Sequence, residues 1–69
     1  MQANKNLLQM KYARIISQLA KKMNTSVQSA MNIFYNSNTY FLMSNGISDF
    51  HCLSDGYLTE EIMNELIQK

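Results

Sequence analysis

Proline is absent from this 69-residue sequence, and glycine occurs only at Gly46 and Gly56. A helix interior excludes these two residues most strongly, so their scarcity favours helix. The two glycines are isolated, so no glycine-rich phosphate loop is present. Cysteine occurs once, at Cys52, which rules out an intrachain disulfide. With one cysteine and one histidine, His51, the chain falls short of the four ligands a structural zinc requires. Asp49, His51 and Asp55 could hold a cation only weakly, and no metal or other cofactor is expected. No apolar run approaches the ~20 residues needed to cross a bilayer. The N-terminus lacks the basic start and compact apolar core of a secretory signal. A single free thiol without a targeting segment fits the cytoplasm.

Acidic residues are missing from the first 48 positions, which carry Lys5, Lys11, Arg14, Lys21 and Lys22. Residues 49–69 hold Asp49, Asp55, Glu60, Glu61 and Glu65 against Lys69. The net charge of +1 therefore hides a basic first part and an acidic last part. Such polarity can be satisfied within a monomer, between protomers, or by different partners.

Hydrophobic residues make up 46% of the chain and charged residues 16%. That charged share is below the roughly 25% usual for soluble domains. Asn, Gln, Ser and Thr supply the remaining polarity. The chain is long enough for one domain spanning residues 1–69. A domain this small buries only about 60% of the surface its unfolded chain exposes. Without disulfide or metal, the common supports left are oligomerisation or a partner, with efficient helix packing as the other route.

The periodicity predicts an all-α bundle of three to five helices, long at both ends and short between. From Gln2 to Met23, Leu8, Tyr12, Ile15, Leu19 and Met23 recur at helical spacing with Ile16 beside them. Lys11, Arg14, Gln18, Lys21 and Lys22 border that stripe. Thr25-Ser26-Val27-Gln28 has capping-box form and predicts a second helix from Ser26 to about Asn36, with Thr25 as its cap. Val27, Ala30, Met31 and Phe34 form its stripe. A third helix is expected over Asn38–Ser44, with Tyr40 and Met43 on one face and Asn45-Gly46 ending it. Ile47–Leu53 reads as one helical turn opened by Ser48. Ser54 should cap a last helix reaching about Gln68, with Asp55, Glu60 and Glu61 in its first half. Leu58, Ile62, Met63, Leu66 and Ile67 give that helix an apolar surface wider than a small core requires, and part of it is expected to face a second chain.

Catalysis has little to stand on. Adjacent His51 and Cys52 rarely project so that the ring meets the sulfur, and a buried or half-buried structural pair is the expectation. Glu60, Glu61 and Glu65 read as a solvated helix face. A DNA-binding regulator is the alternative function, because several short helices could include a helix-turn-helix. The acidic end cancels the charge such a domain uses, and the second and third helices carry no Lys or Arg. Tyr12, Phe34 and Tyr40 belong to the expected core. In the consecutive pairs Phe34-Tyr35 and Tyr40-Phe41 the two rings point in different directions, which makes Tyr35 and Phe41 candidates for protein contacts.

Phe34-Tyr35-Asn36-Ser37, Thr39-Tyr40, Gly46-Ile47-Ser48, His51-Cys52, Ser54-Asp55 and Tyr57-Leu58 follow a recognisable order. From roughly Leu8 to Ile62 the chain resembles a family of short bacterial proteins of unknown function, common in Gram-positive gut bacteria and their mobile elements. Members look like compact helical proteins encoded beside other small genes, sometimes including an ADP-ribosyltransferase-like toxin. The resemblance implies an antitoxin-like or accessory binding role and brings no catalytic residues. Its motif positions here are Tyr35, Ser37, Tyr40, Gly46, Ser48, His51, Ser54, Asp55 and Tyr57, most of them explicable as caps, turn formers or core. The His-Cys-x-Ser-Asp run could equally be a hydrogen-bonded plug tying the loop to the helices. The function expected is non-catalytic protein binding, by self-association or to a cognate partner, through Lys11, Arg14, Tyr35, Phe41, Leu58, Ile62, Met63 and Ile67.

Overall fold

The computed structural model describes residues 5–46 and 52–67. They form four helices: α1 Lys5–Lys22, α2 Val27–Tyr35, α3 Asn38–Ser44 and α4 Asp55–Ile67. No strand occurs among the described residues. The chain is the all-α small bundle its periodicity predicts. Of the turn expected over Ile47–Leu53, only Cys52 and Leu53 are among the described residues, and the outer ends expected for the first and last helices likewise lie outside them.

The ends of α1, α2 and α3 each have a local chemical reason. Asn24 adopts the left-handed conformation, with φ of 54°. The Thr25 N–H then donates to the Ala20 carbonyl at 2.9 Å and the Asn24 N–H to that of Lys21 at 3.3 Å. This is the paired closure of a Schellman motif, and Asn is the residue after Gly best suited to it. Lys21 and Lys22 place positive charge at the same negative end of α1.

The cap of α2 is Ser26 and not Thr25: Ser26 Oγ accepts from the Ser29 N–H at 3.1 Å. The Schellman closure occupies Thr25 as the residue leaving α1, so the neighbouring hydroxyl becomes the cap. Ser37 serves two helices at once. Its Oγ donates to the Phe34 carbonyl at 2.6 Å and accepts from the Tyr40 N–H at 3.0 Å, closing α2 and opening α3. Gly46, at φ 65°, ends α3 as expected. Ser54 caps α4 by accepting from the Tyr57 N–H at 3.1 Å.

The core is Tyr12, Ile15, Ile16, Leu19 and Ala20 from α1, Ala30 and Phe34 from α2, Met43 from α3, and Leu58 and Ile62 from α4. Here α1 lies against α2 and α4, and α3 bridges α2 to α4. Tyr12, Phe34 and Tyr40 stack mutually with centroids 5.1–5.5 Å apart, in the tilted and edge-on arrangements that ring quadrupoles favour. The expected stripe of α1 is therefore the observed one. Val27 departs from expectation: it stands 59% exposed.

Candidate functional site

The charges of the two end helices meet inside one chain. Asp55, on the first turn of α4, accepts from Lys11 Nζ at 2.8 Å and from Arg14 Nε at 2.6 Å. Partial burial pushes the Asp55 carboxyl pKa upward, but hydrogen bonds and charge from Lys11 and Arg14 outweigh it and hold the group below its ordinary value. One turn later Lys22 Nζ pairs with Glu60 at 2.7 Å. Lys11 and Arg14, candidates for partner binding in the sequence, are thus engaged by their own α4. Thr59, wholly buried, has its Oγ1 2.8 Å from the Asp55 carbonyl oxygen and 3.0 Å from Gln18 Oε1. This polar contact lies under the same α1–α4 seam.

Glu65 is more than a solvated acid. Its carboxylate accepts from the Asn38 N–H at 2.8 Å, the Thr39 N–H at 2.9 Å and the Thr39 hydroxyl. It satisfies the first free donors of α3 from a helix 26 residues away.

Leu58 and Ile62 have no exposed area and belong to the core, which corrects their expected place on a binding surface. Both lie on the stripe of α4 that enters the common core. Met63 is half-buried against the same core. Ile67, on the last turn of α4, is 77% exposed. Tyr35 and Phe41 are 42% and 55% exposed, as the reading of their paired aromatics anticipates. Tyr35 still touches the aromatic cluster, its ring 5.0 Å from Phe34 and 4.9 Å from Tyr40. Burial, and then the neighbouring phenols of Tyr40 and Tyr35, push the Tyr12 pKa up.

Among the described residues, hollows lie on either side of α2. One, of about 260 Å³, runs between α1 and α2, with Val27, Met31 and Tyr35 on one wall and Gln9, Tyr12, Ala13, Ile16 and Ser17 opposite. Across this groove Val27 faces the short side chains of Ala13 and Ser17 and keeps most of its surface in water. The other, of about 370 Å³, lies towards α4 beside Ile33, Asn36 and Leu66. Val27 and Met31 share the apolar spacing of Ala30 and Phe34, so spacing alone does not mark them as groove residues. The small residues four apart on α1 were the available signal.

Cys52 is exposed, against the expectation of a buried pair with His51, which lies outside the described residues along with Asp49 and Ser48. Ser54 and Asp55 of the same run act as cap and ion-pair acceptor. Among the described residues no group of Cys, His, Asp or Glu could hold a metal ion, and no helix is long and apolar enough to cross a membrane. Compared with known proteins, the chain matches no family model, no curated protein and no solved structure.

Proposed function

We propose that this chain is a non-catalytic protein-binding module whose contact face is built on α2 and α3. One observation carries the reading. From Met23 to Ser48 there is no charged residue, and on this stretch Val27, Tyr35 and Phe41 keep large apolar surfaces in water. A helix face meant for solvent ordinarily carries charge, whereas interface centres are poor in charge and rich in aromatic residues and Met. Covering such a face gains about 25 cal/mol per Å² of apolar area and desolvates no ion.

The small size of the domain supports the same reading, since few residues are available to build its core. An antitoxin-like pairing with a cognate protein is one form it can take, and self-association is another. The exposed thiol of Cys52 suits a reducing compartment, so we place the module in the cytoplasm. The alternative of a DNA-binding regulator has weaker support, because Lys11, Arg14 and Lys22 face carboxylates of α4.

Photo-reactive residues placed singly at Asn32, Phe41 and Glu60 test the reading in the cell. Protein adducts, to a second copy or to another chain, should form from the α2 and α3 positions and not from Glu60 on α4. An absence of adducts, or equal yield from all three positions, would remove it.

A further inference from the structure

Both glycines of this chain follow a side chain that can cyclise onto them, in Asn45-Gly46 and Asp55-Gly56. Glycine leaves its amide nitrogen open to such attack, because no Cβ crowds the approach. We propose that Asn45 is a site of spontaneous deamidation through the Gly46 nitrogen, and that the fold withholds the same chemistry from Asp55. The Gly46 nitrogen bonds to Asn45 Cγ and the Cγ–Nδ2 bond breaks. Nδ2 leaves as ammonia, taking the Gly46 amide proton with it. Water then adds to either carbonyl of the succinimide ring and opens it, giving aspartate or isoaspartate. The net change consumes water, releases ammonia and transfers no electrons. No other asparagine in the chain precedes a glycine.

Position in the fold separates the two pairs. Asn45 is exposed and stands just past the last residue of α3. Two hydrogen bonds hold its reacting atoms back. Asn45 Nδ2 donates to the Phe41 carbonyl at 2.7 Å, and the Gly46 N–H donates to the Met43 carbonyl at 3.2 Å. Both lie at an exposed helix end, where local opening takes little free energy, so they slow ring closure without preventing it. Asp55 sits in the first turn of α4, with one carboxylate oxygen on Lys11 and the other on Arg14. Those cations keep the group ionised, and a carboxylate is a poor acceptor for an amide nitrogen. Freeing it would also break the α1–α4 seam. At position 45 the product puts negative charge at the negative end of the α3 dipole and removes the Nδ2 donor from the Phe41 carbonyl. Deamidation therefore loosens the end of α3 and gives the stretch from Met23 to Ser48 its first charge.

The test ages the purified full chain in neutral buffer, folded and in guanidinium chloride. Peptide mass mapping with isoaspartyl-methyltransferase labelling reads each site. In the folded chain Asn45 should convert faster than every other asparagine, and roughly tenfold more slowly than in denaturant. Asn45→Gln should remove the signal, because its ring needs one more atom. Isoaspartate at Asp55 should appear only in denaturant. Asn45→Asp, which copies one product, should melt at a lower temperature than the wild type. An Asn45 that stays intact in the folded chain, or converts no faster than Asn24 and Asn36, would overturn the site. Equal rates at Asn45 in both states would overturn the restraint by Phe41 and Met43. Isoaspartate forming at Asp55 in the folded chain as fast as at Asn45 would overturn the protection. An unchanged melt for Asn45→Asp would overturn the loosening of α3.

Discussion

Lys11 and Asp55 stand 44 positions apart in sequence and 2.8 Å apart in space, both mostly shielded from water by the α1–α4 seam. Arg14 reaches the second oxygen of the same carboxylate from a more exposed position, where an ion pair contributes little. Asp55→Asn should therefore cost about 1–3 kcal/mol, chiefly by removing the negative charge beside the shielded Lys11 ammonium, since the amide oxygen can still accept. Chemical denaturation at neutral pH measures it. Arg14→Ala should cost less than Asp55→Asn in the same assay.

The same carboxylate sets an acid limit on stability. Its folded pKa lies below the ordinary value, so the folded state binds the proton less readily than the unfolded one. The stabilisation is fully present above the unfolded carboxyl pKa of about 3.9 and is lost as pH falls through the folded value. Denaturation from pH 7 downward should thus show the wild type and Asp55→Asn converging only below about pH 4. A constant gap through the acid range would mean that the carboxylate charge is not what matters.

Glu65 holds the start of α3 through two backbone donors and the Thr39 hydroxyl. Loss of a helix-capping acceptor typically costs about 1 kcal/mol, and Glu65→Ala should cost at least that. Thr39→Val removes one of the three donors. The double variant should then lose less than the sum of the singles, with a coupling of about 0.5 kcal/mol or more, read by thermal or urea unfolding.

Phe34 and Phe41 separate stability from association. Phe34 has no exposed area and sits within the aromatic cluster, so Phe34→Ala should cost about 3–5 kcal/mol and unfold much of so small a protein. Phe41 is largely in water, so Phe41→Ala should leave stability within about 0.5 kcal/mol. Circular dichroism melts compare the two directly.

The caps give a finer test. Ser26→Ala should cost about 1 kcal/mol, and Thr25→Ala appreciably less, because only the Ser26 hydroxyl accepts from the first turn of α2. Asn24→Gly should be neutral or slightly stabilising at its left-handed φ, whereas Asn24→Val should destabilise. Thermal melts of the four variants measure the order.

Much of the fold is legible in local spacing. Leu8, Tyr12, Ile15 and Leu19 mark the inner face of α1, Gly46 marks an end, and Ser54 marks a start, because each acts through neighbours within two turns. The α2 cap falls one residue later than the capping-box pattern puts it, since two adjacent hydroxyls fit that pattern and the geometry of the α1 exit chooses between them. The candidate surface was less legible. Leu58 and Ile62 were placed on the correct apolar stripe of α4, but spacing cannot say whether a stripe meets its own chain or another. The same rule points Val27 inward, yet it stands in the open groove opposite Ala13 and Ser17.

The order of residues alone determined that this chain makes helices, where most of them stop, and that positive charge lies early and negative charge late. Those properties depend on backbone preferences and on neighbours a few positions away. Tertiary structure decided that Asp55 answers Lys11 and Arg14 within one molecule, that Glu65 closes the start of α3, and that Val27, Tyr35 and Phe41 stay in water while Leu58 and Ile62 do not. Those outcomes depend on which helices share a seam, a relation between distant segments that no local pattern contains.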